Sequence, residues 1–146
     1  YKIVTKMIFL SKNGANMIQF ELNKEKIYKK KIMDYYTSPL YRGALSNPDF
    51  STDATSPSCG DHIIFDGLVH ADTIIDLKFR GQGSLLGQAI AGMICEYAIG
   101  KDRAVIMHLT HKDLLEWLGV ELGPTRLRTI EFILTTLQKA LIEYVK

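Results

Sequence analysis

The sequence predicts an α+β fold in which helices pack on one face of a small antiparallel β-sheet. A lysine-rich helical segment comes first, two β-branched runs follow, and three segments with helix-capping residues complete the chain. With 146 residues, of which 47% are hydrophobic and 23% charged, the chain is long enough for one core and too short for two. This composition excludes wholesale disorder.

The first predicted helix is basic on one side and aromatic on the other. Residues 1–36 hold eight lysines and three acidic residues, a balance of +5 that leaves −3 for the rest of the chain. The apolar residues recur at helical spacing, which predicts a buried face opposite a solvated lysine face. They are Tyr28, Ile32, Tyr35 and Tyr36, and the lysines are Lys24, Lys26, Lys29, Lys30 and Lys31.

Two interpretations of the N-terminal segment remain open. Asn13-Gly14 lies between two apolar runs and suits a type I′ turn, so residues 1–22 are predicted to form a hairpin. Met17 equally suits a native start, which would make the preceding residues an extension. In both cases the predicted domain covers residues 23–146.

The middle of the chain predicts a loop followed by a sheet. Residues 37–58 hold three of the four prolines and no periodicity, which is typical of a long surface loop. The runs DHIIFDGLV and TIIDLKFRG then predict paired antiparallel strands that turn near residues 70–72.

Three helices with recognisable ends are predicted after the sheet. Ser84 as N-cap and Gly100 beyond the C-terminus bracket a helix of about four turns. A capping box, Thr110-x-x-Asp113, begins a short helix that Gly119 closes. Pro124 suits the first position of the last helix. Its apolar stripe is formed by Leu127, Ile130, Leu134, Leu137 and Leu141.

Composition also limits the function classes. No run approaches eighteen apolar residues and the first ten residues lack a signal-peptide pattern, so we expect a cytoplasmic protein without a membrane span. The two cysteines, Cys59 and Cys95, are too few for a disulfide scaffold and form no CxxC pair. Cys95 lies among apolar residues within the first of the three helices, where an inert packing role is expected.

Three short motifs contain residues suited to chemistry. Cys59-Gly60-Asp61 offers a thiolate and a carboxylate that a metal could share, although a turn would also explain it. Ser84 follows two glycines at the positive end of a helix dipole, where it either caps the helix or ligates. Arg126, Arg128 and Thr129 lie in the first turns of the last helix, where an arginine could pair with an anion, although an exposed basic helix start would also explain them. His108-x-x-His111 has chelating spacing, but the cap at Thr110 separates the two histidines.

These motifs, in this order, resemble the IscU/NifU-N/SufU family of iron–sulfur cluster scaffold proteins. The resemblance covers roughly residues 27–146 and is carried by IMDYYTSP, SPSCGDHI, KFRGQGSLLGQAIAGM and PTRLRT. It implies the family's α+β sandwich, a cluster or zinc site of three cysteines and an aspartate, and sulfur supplied by a cysteine desulfurase. Cys59 matches the first cysteine and Asp61 the aspartate.

The other two cysteine positions depart from the family pattern. Ser84 and Thr129 take the places of the second and third cysteines, and Arg128 that of the basic residue before the third. One thiolate and one carboxylate do not supply the ligation that a stable cluster needs. The leading hypothesis is therefore a degenerate scaffold-like protein with an accessory or partner-binding role in iron–sulfur biogenesis, which binds a cluster, iron, zinc or none of these.

Four alternatives or open points accompany that hypothesis. A functional scaffold would complete its site with ligands from a partner or a second copy, and homo-oligomer formation is left open. A thiol enzyme would use Cys59 with His62 or His70, but no motif supports it. A nucleic-acid module would use the lysine face, but the tyrosines are better explained by burial. Under the leading hypothesis the expected partners are a cysteine desulfurase or other iron–sulfur assembly proteins, and no enzyme activity is expected.

Overall fold

The computed structural model describes residues 14–144, in which five helices and one four-stranded sheet surround a single hydrophobic core. The helices are α1 (Gly14–Thr37), α2 (Leu85–Ala98), α3 (Arg103–Met107), α4 (His111–Leu118) and α5 (Pro124–Glu143). The strands are β1 (Phe50–Ser51), β2 (Ala54–Thr55), β3 (His62–His70) and β4 (Thr73–Gln82). All strand pairs are antiparallel, which confirms the predicted α+β class.

The hairpin of β3 and β4 forms the centre of the sheet, as predicted. Phe65 pairs with Phe79 across the hairpin, and both side chains are fully buried. The connecting residues Ala71 and Asp72 have φ values of 48° and 64°, the left-handed pair that a tight hairpin turn requires. The side chains that alternate toward the helices therefore form the sheet's contribution to the core.

Part of the predicted loop 37–58 is in fact the edge of the sheet. β1 and β2 pair with opposite ends of β3, through Phe50 with Gly67 and Ala54 with Ile63. The prediction of a loop throughout was wrong because strands of two residues are too short to show alternation, and their pairing is set by distant residues.

Asp66 on β3 ties the preceding loop to the sheet. Its buried carboxylate accepts hydrogen bonds from Ser51 Oγ (2.6 Å), Arg80 Nη1 (2.6 Å) and the Leu45 amide (3.1 Å). Burial opposes ionisation of this carboxyl, but the three hydrogen bonds outweigh it and hold the pKa below its usual value.

α1 begins ahead of the predicted domain boundary. Residues 14–22 are helical, so they do not form the second strand of a hairpin, and residues 1–13 lie outside the described part of the chain. Ile32 is buried on the predicted face, and Tyr28 and Tyr35 pack against the core. Tyr28 and Tyr35 therefore serve packing, whereas the prediction for Tyr36 was wrong: it is 38% exposed, with the Arg42 guanidinium over its ring. Two of the lysines form ion pairs within the helix, Lys29 with Glu25 (2.9 Å) and Lys30 with Asp34 (2.8 Å).

α2 is the central helix and contacts α1, β4 and α5. Eleven of its fourteen residues are buried, so it is apolar on nearly every side. Ser84 caps its first turn, with Ser84 Oγ accepting from the Gly87 amide at 3.1 Å, as predicted. Cys95 is fully buried and burial raises the pKa of its thiol, in agreement with an inert packing role.

The remaining helices close the core. The capping box of Thr110 and Asp113 at α4, the left-handed Gly119 after it and Pro124 at the start of α5 are confirmed. Four residues of the α5 stripe are buried, and Leu127 is half-buried. The sequence did not predict α3, because five residues are too few for a periodic signal. None of the described helices is long and apolar enough to cross a membrane.

Candidate functional site

Cys59 lies at the exposed tip of a tight turn before β3. The turn is closed by hydrogen bonds from the Ser56 amide to the Asp61 carbonyl (2.7 Å) and from the Gly60 amide to the Ser56 carbonyl (3.0 Å). Gly60 has φ of +72°, a conformation that glycine adopts without strain. The turn therefore presents the Cys59 thiol to solvent, whereas the other thiol of the chain is buried.

Asp61 and Ser84 are joined by two hydrogen bonds. Asp61 Oδ1 accepts from the Ser84 amide at 2.7 Å, and Asp61 Oδ2 accepts from Ser84 Oγ at 2.9 Å. Asp61 is only 3% exposed. Its carboxylate also lies at the N-terminus of α2, where the helix dipole favours negative charge. The predicted turn residue and the predicted helix cap thus form one hydrogen-bonded unit.

Two glycines make room for this unit. A Cβ on Gly83 would lie 2.1 Å from Asp61 Oδ1, and Gly83 has φ of +144°. A Cβ on Gly87 would lie 2.9 Å from Asp61 Oδ2, 3.1 Å from Ser84 Oγ and 3.4 Å from Thr129 Cγ2. Asp61, Ser84 and Thr129 therefore converge on the first turn of α2.

Thr129 and Arg128 differ in their relation to the site. Thr129 is 5% exposed, and its hydroxyl donates back to the Thr125 carbonyl at 3.4 Å instead of pointing a free donor at Asp61. Arg128 is exposed and does not line the groove that contains the site. Arg126, two residues earlier, does line it. The structure brings Thr129 together with Asp61 and Ser84 but leaves Arg128 outside.

The site opens into a groove of about 1100 Å³. α1 forms one wall with Tyr28, Ile32 and Met33, and the segment before α5 forms the other with Val120 and Leu122. Sequence reasoning missed these walls, because no local pattern shows that α1 and residues 120–122 meet. The charged groups in the lining are Glu25, Lys29, Asp61, Glu121 and Arg126.

None of the four histidines, all of them within residues 14–144, lines the groove that contains Cys59 and Asp61. His62 Nε2 lies 2.6 Å from Asp53 Oδ1, and His70 lies at the far end of β3, about 26 Å along a strand of nine residues. His108 is bonded to the Ala104 carbonyl and His111 lies 3.4 Å from Glu131. Among residues 14–144, no three His, Cys, Asp or Glu side chains are grouped so that they could hold a metal ion.

Comparison with known proteins identifies the family. The model of the NifU-like N-terminal domain matches residues 27–146. The chain belongs to this family. Its fold is that of the iron–sulfur cluster assembly scaffold family. The resemblance inferred from the motifs is thereby confirmed.

Relatives and solved structures support the assignment. The chain is 32% identical to the zinc-dependent sulfurtransferase SufU of Bacillus subtilis over 101 residues, and this alignment covers 68% of each protein. It is 30% identical over 119 residues to the scaffold protein IscU of Aquifex aeolicus, covering 80% of this chain and 75% of that one. A crystal structure described as a SUF-system scaffold from Fervidobacterium islandicum shares 26% identity with a TM-score of 0.68, covering 80% and 97%.

The donor set of this family member does not fit a resident zinc ion or a stable cluster. Zinc takes four thiolate, imidazole or carboxylate ligands, and two-iron clusters are held by four such ligands. The site supplies one thiol at Cys59 and one carboxylate at Asp61, and that carboxylate already accepts from Ser84. The hydroxyls of Ser84 and Thr129 are engaged in hydrogen bonds of their own.

Proposed function

We propose that this protein is an accessory member of the iron–sulfur scaffold family that binds assembly partners but does not build a cluster on its own ligands. The observation that carries the proposal is the Asp61–Ser84 pair, which occupies two of the four positions where the family resemblance places ligands. A cluster arriving as cargo would meet one free thiol, at Cys59, and no second thiolate.

The chemistry left to the site is sulfur acceptance by Cys59. In this step the Cys59 thiolate attacks the outer sulfur of a persulfide on a donor cysteine. A new S–S bond forms on Cys59 as the donor S–S bond breaks, and the donor leaves as a thiolate. The exchange needs no further oxidant or reductant. The exposed position of Cys59 at the tip of a turn supports access by a protein-bound donor.

The groove beside Cys59 supports binding of the donor protein, which we propose to be a cysteine desulfurase. Its walls are largely apolar, with Met33 and Leu85 exposed within them. Such a surface next to a reactive group is typical of a protein–protein contact. Sulfur acceptance without further turnover would make the protein a carrier and not an enzyme, in contrast to a relative named as a sulfurtransferase.

Incubation with a cysteine desulfurase and cysteine tests both parts of the proposal. Intact-mass analysis should show the mass of one added sulfur on the native protein and on Cys95→Ala, and none on Cys59→Ala. Pull-down should retain the desulfurase with all three proteins, since the thiol is only part of the contact. The absence of both desulfurase binding and sulfur addition would contradict the proposal.

A second candidate function is a scaffold completed by outside ligands. The open groove and the exposed thiol would let donors from a partner or a second copy reach Cys59. The two functions differ in what they predict for the isolated protein with added desulfurase. A cluster chromophore that appears only with a partner, or only in an oligomer, would favour the second candidate.

A further inference from the structure

Asp61 and Ser84 satisfy one another through two hydrogen bonds, one to each oxygen of the Asp61 carboxylate. The Ser84 hydroxyl gives its one proton to Asp61 Oδ2 and accepts from the Gly87 amide. Asp61 Oδ1 accepts from the Ser84 amide, so each carboxylate oxygen has a protein donor. The buried carboxylate is therefore satisfied without a cation.

The same pair connects two parts of the chain that are distant in sequence. Asp61 is the last residue of the turn that carries Cys59, and its carbonyl accepts from the Ser56 amide at 2.7 Å. Ser84 is the N-cap residue of α2. The side-chain contact thus attaches the Cys59 turn to the N-terminus of the most buried helix.

We infer that Asp61 and Ser84 form a metal-free lock, which holds the Cys59 turn on α2 in place of a bound ion. In this role both are positioning residues for Cys59. The inference goes beyond sulfur acceptance and does not depend on it, since it concerns how the turn is held. It follows from the disagreement between the ligand positions implied by the family and the donors that this chain supplies.

Two measurements on the native protein and on Ser84→Ala test the lock. The first is thermal unfolding of the native protein with chelator, without additive and with zinc. A bound ion at a hundred times its Kd would raise Tm by roughly 5–10 °C, whereas the lock predicts a change of less than about 1 °C. The second is hydrogen exchange of the amides in residues 56–61.

Thr110→Ala is the matched control for the exchange measurement. It removes the N-cap of α4, so both variants should lower Tm by roughly 3–8 °C. Only Ser84→Ala should accelerate exchange in residues 56–61, at least about tenfold, because only that variant removes the hydroxyl bond to Asp61 Oδ2 and leaves the turn held by the Ser84 amide alone. Ser84→Thr, which keeps the hydroxyl, should restore slow exchange.

Two results would overturn the inference. One is a zinc-dependent rise in Tm that Asp61→Asn abolishes, because it would show that the carboxylate serves a metal. The other is equal exchange in residues 56–61 for Ser84→Ala and Thr110→Ala, because it would show that the serine stabilises the helix without holding the turn. Sulfur addition to Cys59 is measured separately, by mass, so failure of the lock is distinguishable from failure of the proposed function.

Discussion

Gly83→Ala is expected to destabilise the protein by more than the cost of placing alanine at the positive φ of position 83, because the new side chain also disrupts the candidate site. The new Cβ would lie 2.1 Å from Asp61 Oδ1, so the carboxylate must move. That movement sacrifices the two hydrogen bonds from Ser84, each worth about 1.5–3 kcal/mol when the acceptor is charged. The unfavourable φ adds about 1–3 kcal/mol.

Gly43→Ala separates these two contributions. Gly43 has a similar φ of +126°, but a Cβ there would meet no atom within 4 Å. This variant should therefore show the cost of the backbone conformation without the displacement of Asp61. The expected difference between the two variants is about 3 kcal/mol or more, a large part of the 5–15 kcal/mol that stabilises a typical domain.

Urea unfolding followed by the fluorescence of Trp117, the single tryptophan, measures this difference. Gly83→Ala should unfold at a clearly lower urea concentration than Gly43→Ala. For both variants the dependence of the unfolding free energy on urea concentration should match that of the native protein. If the two variants lose the same free energy of unfolding within about 0.5 kcal/mol, the reasoning that Asp61 is held by Ser84 beside Gly83 is refuted.

Three other predictions concern the surroundings of the site. In the native protein a thiol reagent should modify Cys59 alone and reach Cys95 only after denaturation; rapid modification of both would contradict the packing of α2. Asp66→Asn should lower the free energy of unfolding by about 2–4 kcal/mol at neutral pH. Because folding lowers the pKa of Asp66, the stability that its carboxylate contributes is complete above the unfolded-state pKa and is lost as pH falls through the folded-state pKa. The urea unfolding curves of the native protein and Asp66→Asn should therefore converge in acid. A difference that stays constant with pH would exclude the carboxylate as the cause. Gly67→Ala should cost about 1–3 kcal/mol because its Cβ would lie 2.2 Å from Phe50 Cζ, and a double-mutant cycle should show a smaller cost in Phe50→Ala; equal costs would place the strain elsewhere.

The elements that the sequence predicted have local causes. Ser84, Thr110 and Pro124 mark helix starts through hydrogen bonds or dihedral angles within one turn, so the residues themselves contain the signal. β1 and β2 were missed because they exist only through pairing with β3, a contact between residues far apart in sequence. Asn13-Gly14 suggested a turn, yet Gly14 begins α1.

The candidate site was predictable in its members but not in its contacts. The family resemblance placed Asp61, Ser84 and Thr129 at equivalent ligand positions, and the structure brings them together around Gly87. No sequence pattern indicated that Asp61 and Ser84 would hydrogen-bond to one another, because residues between them form the whole β3–β4 hairpin. The groove walls depend on the packing of α1, which is likewise a tertiary property.

Anaerobic reconstitution with iron and sulfide, followed by absorption spectroscopy, tests the central claim that this site does not assemble a cluster on its own ligands. The native protein should show no stable cluster chromophore. Ser84→Cys/Thr129→Cys should show one, and adding Cys59→Ala to that variant should remove it, because thiolates would then stand at the positions that the family resemblance assigns to ligands. A stable cluster on the native protein that is lost in Cys59→Ala would contradict the account.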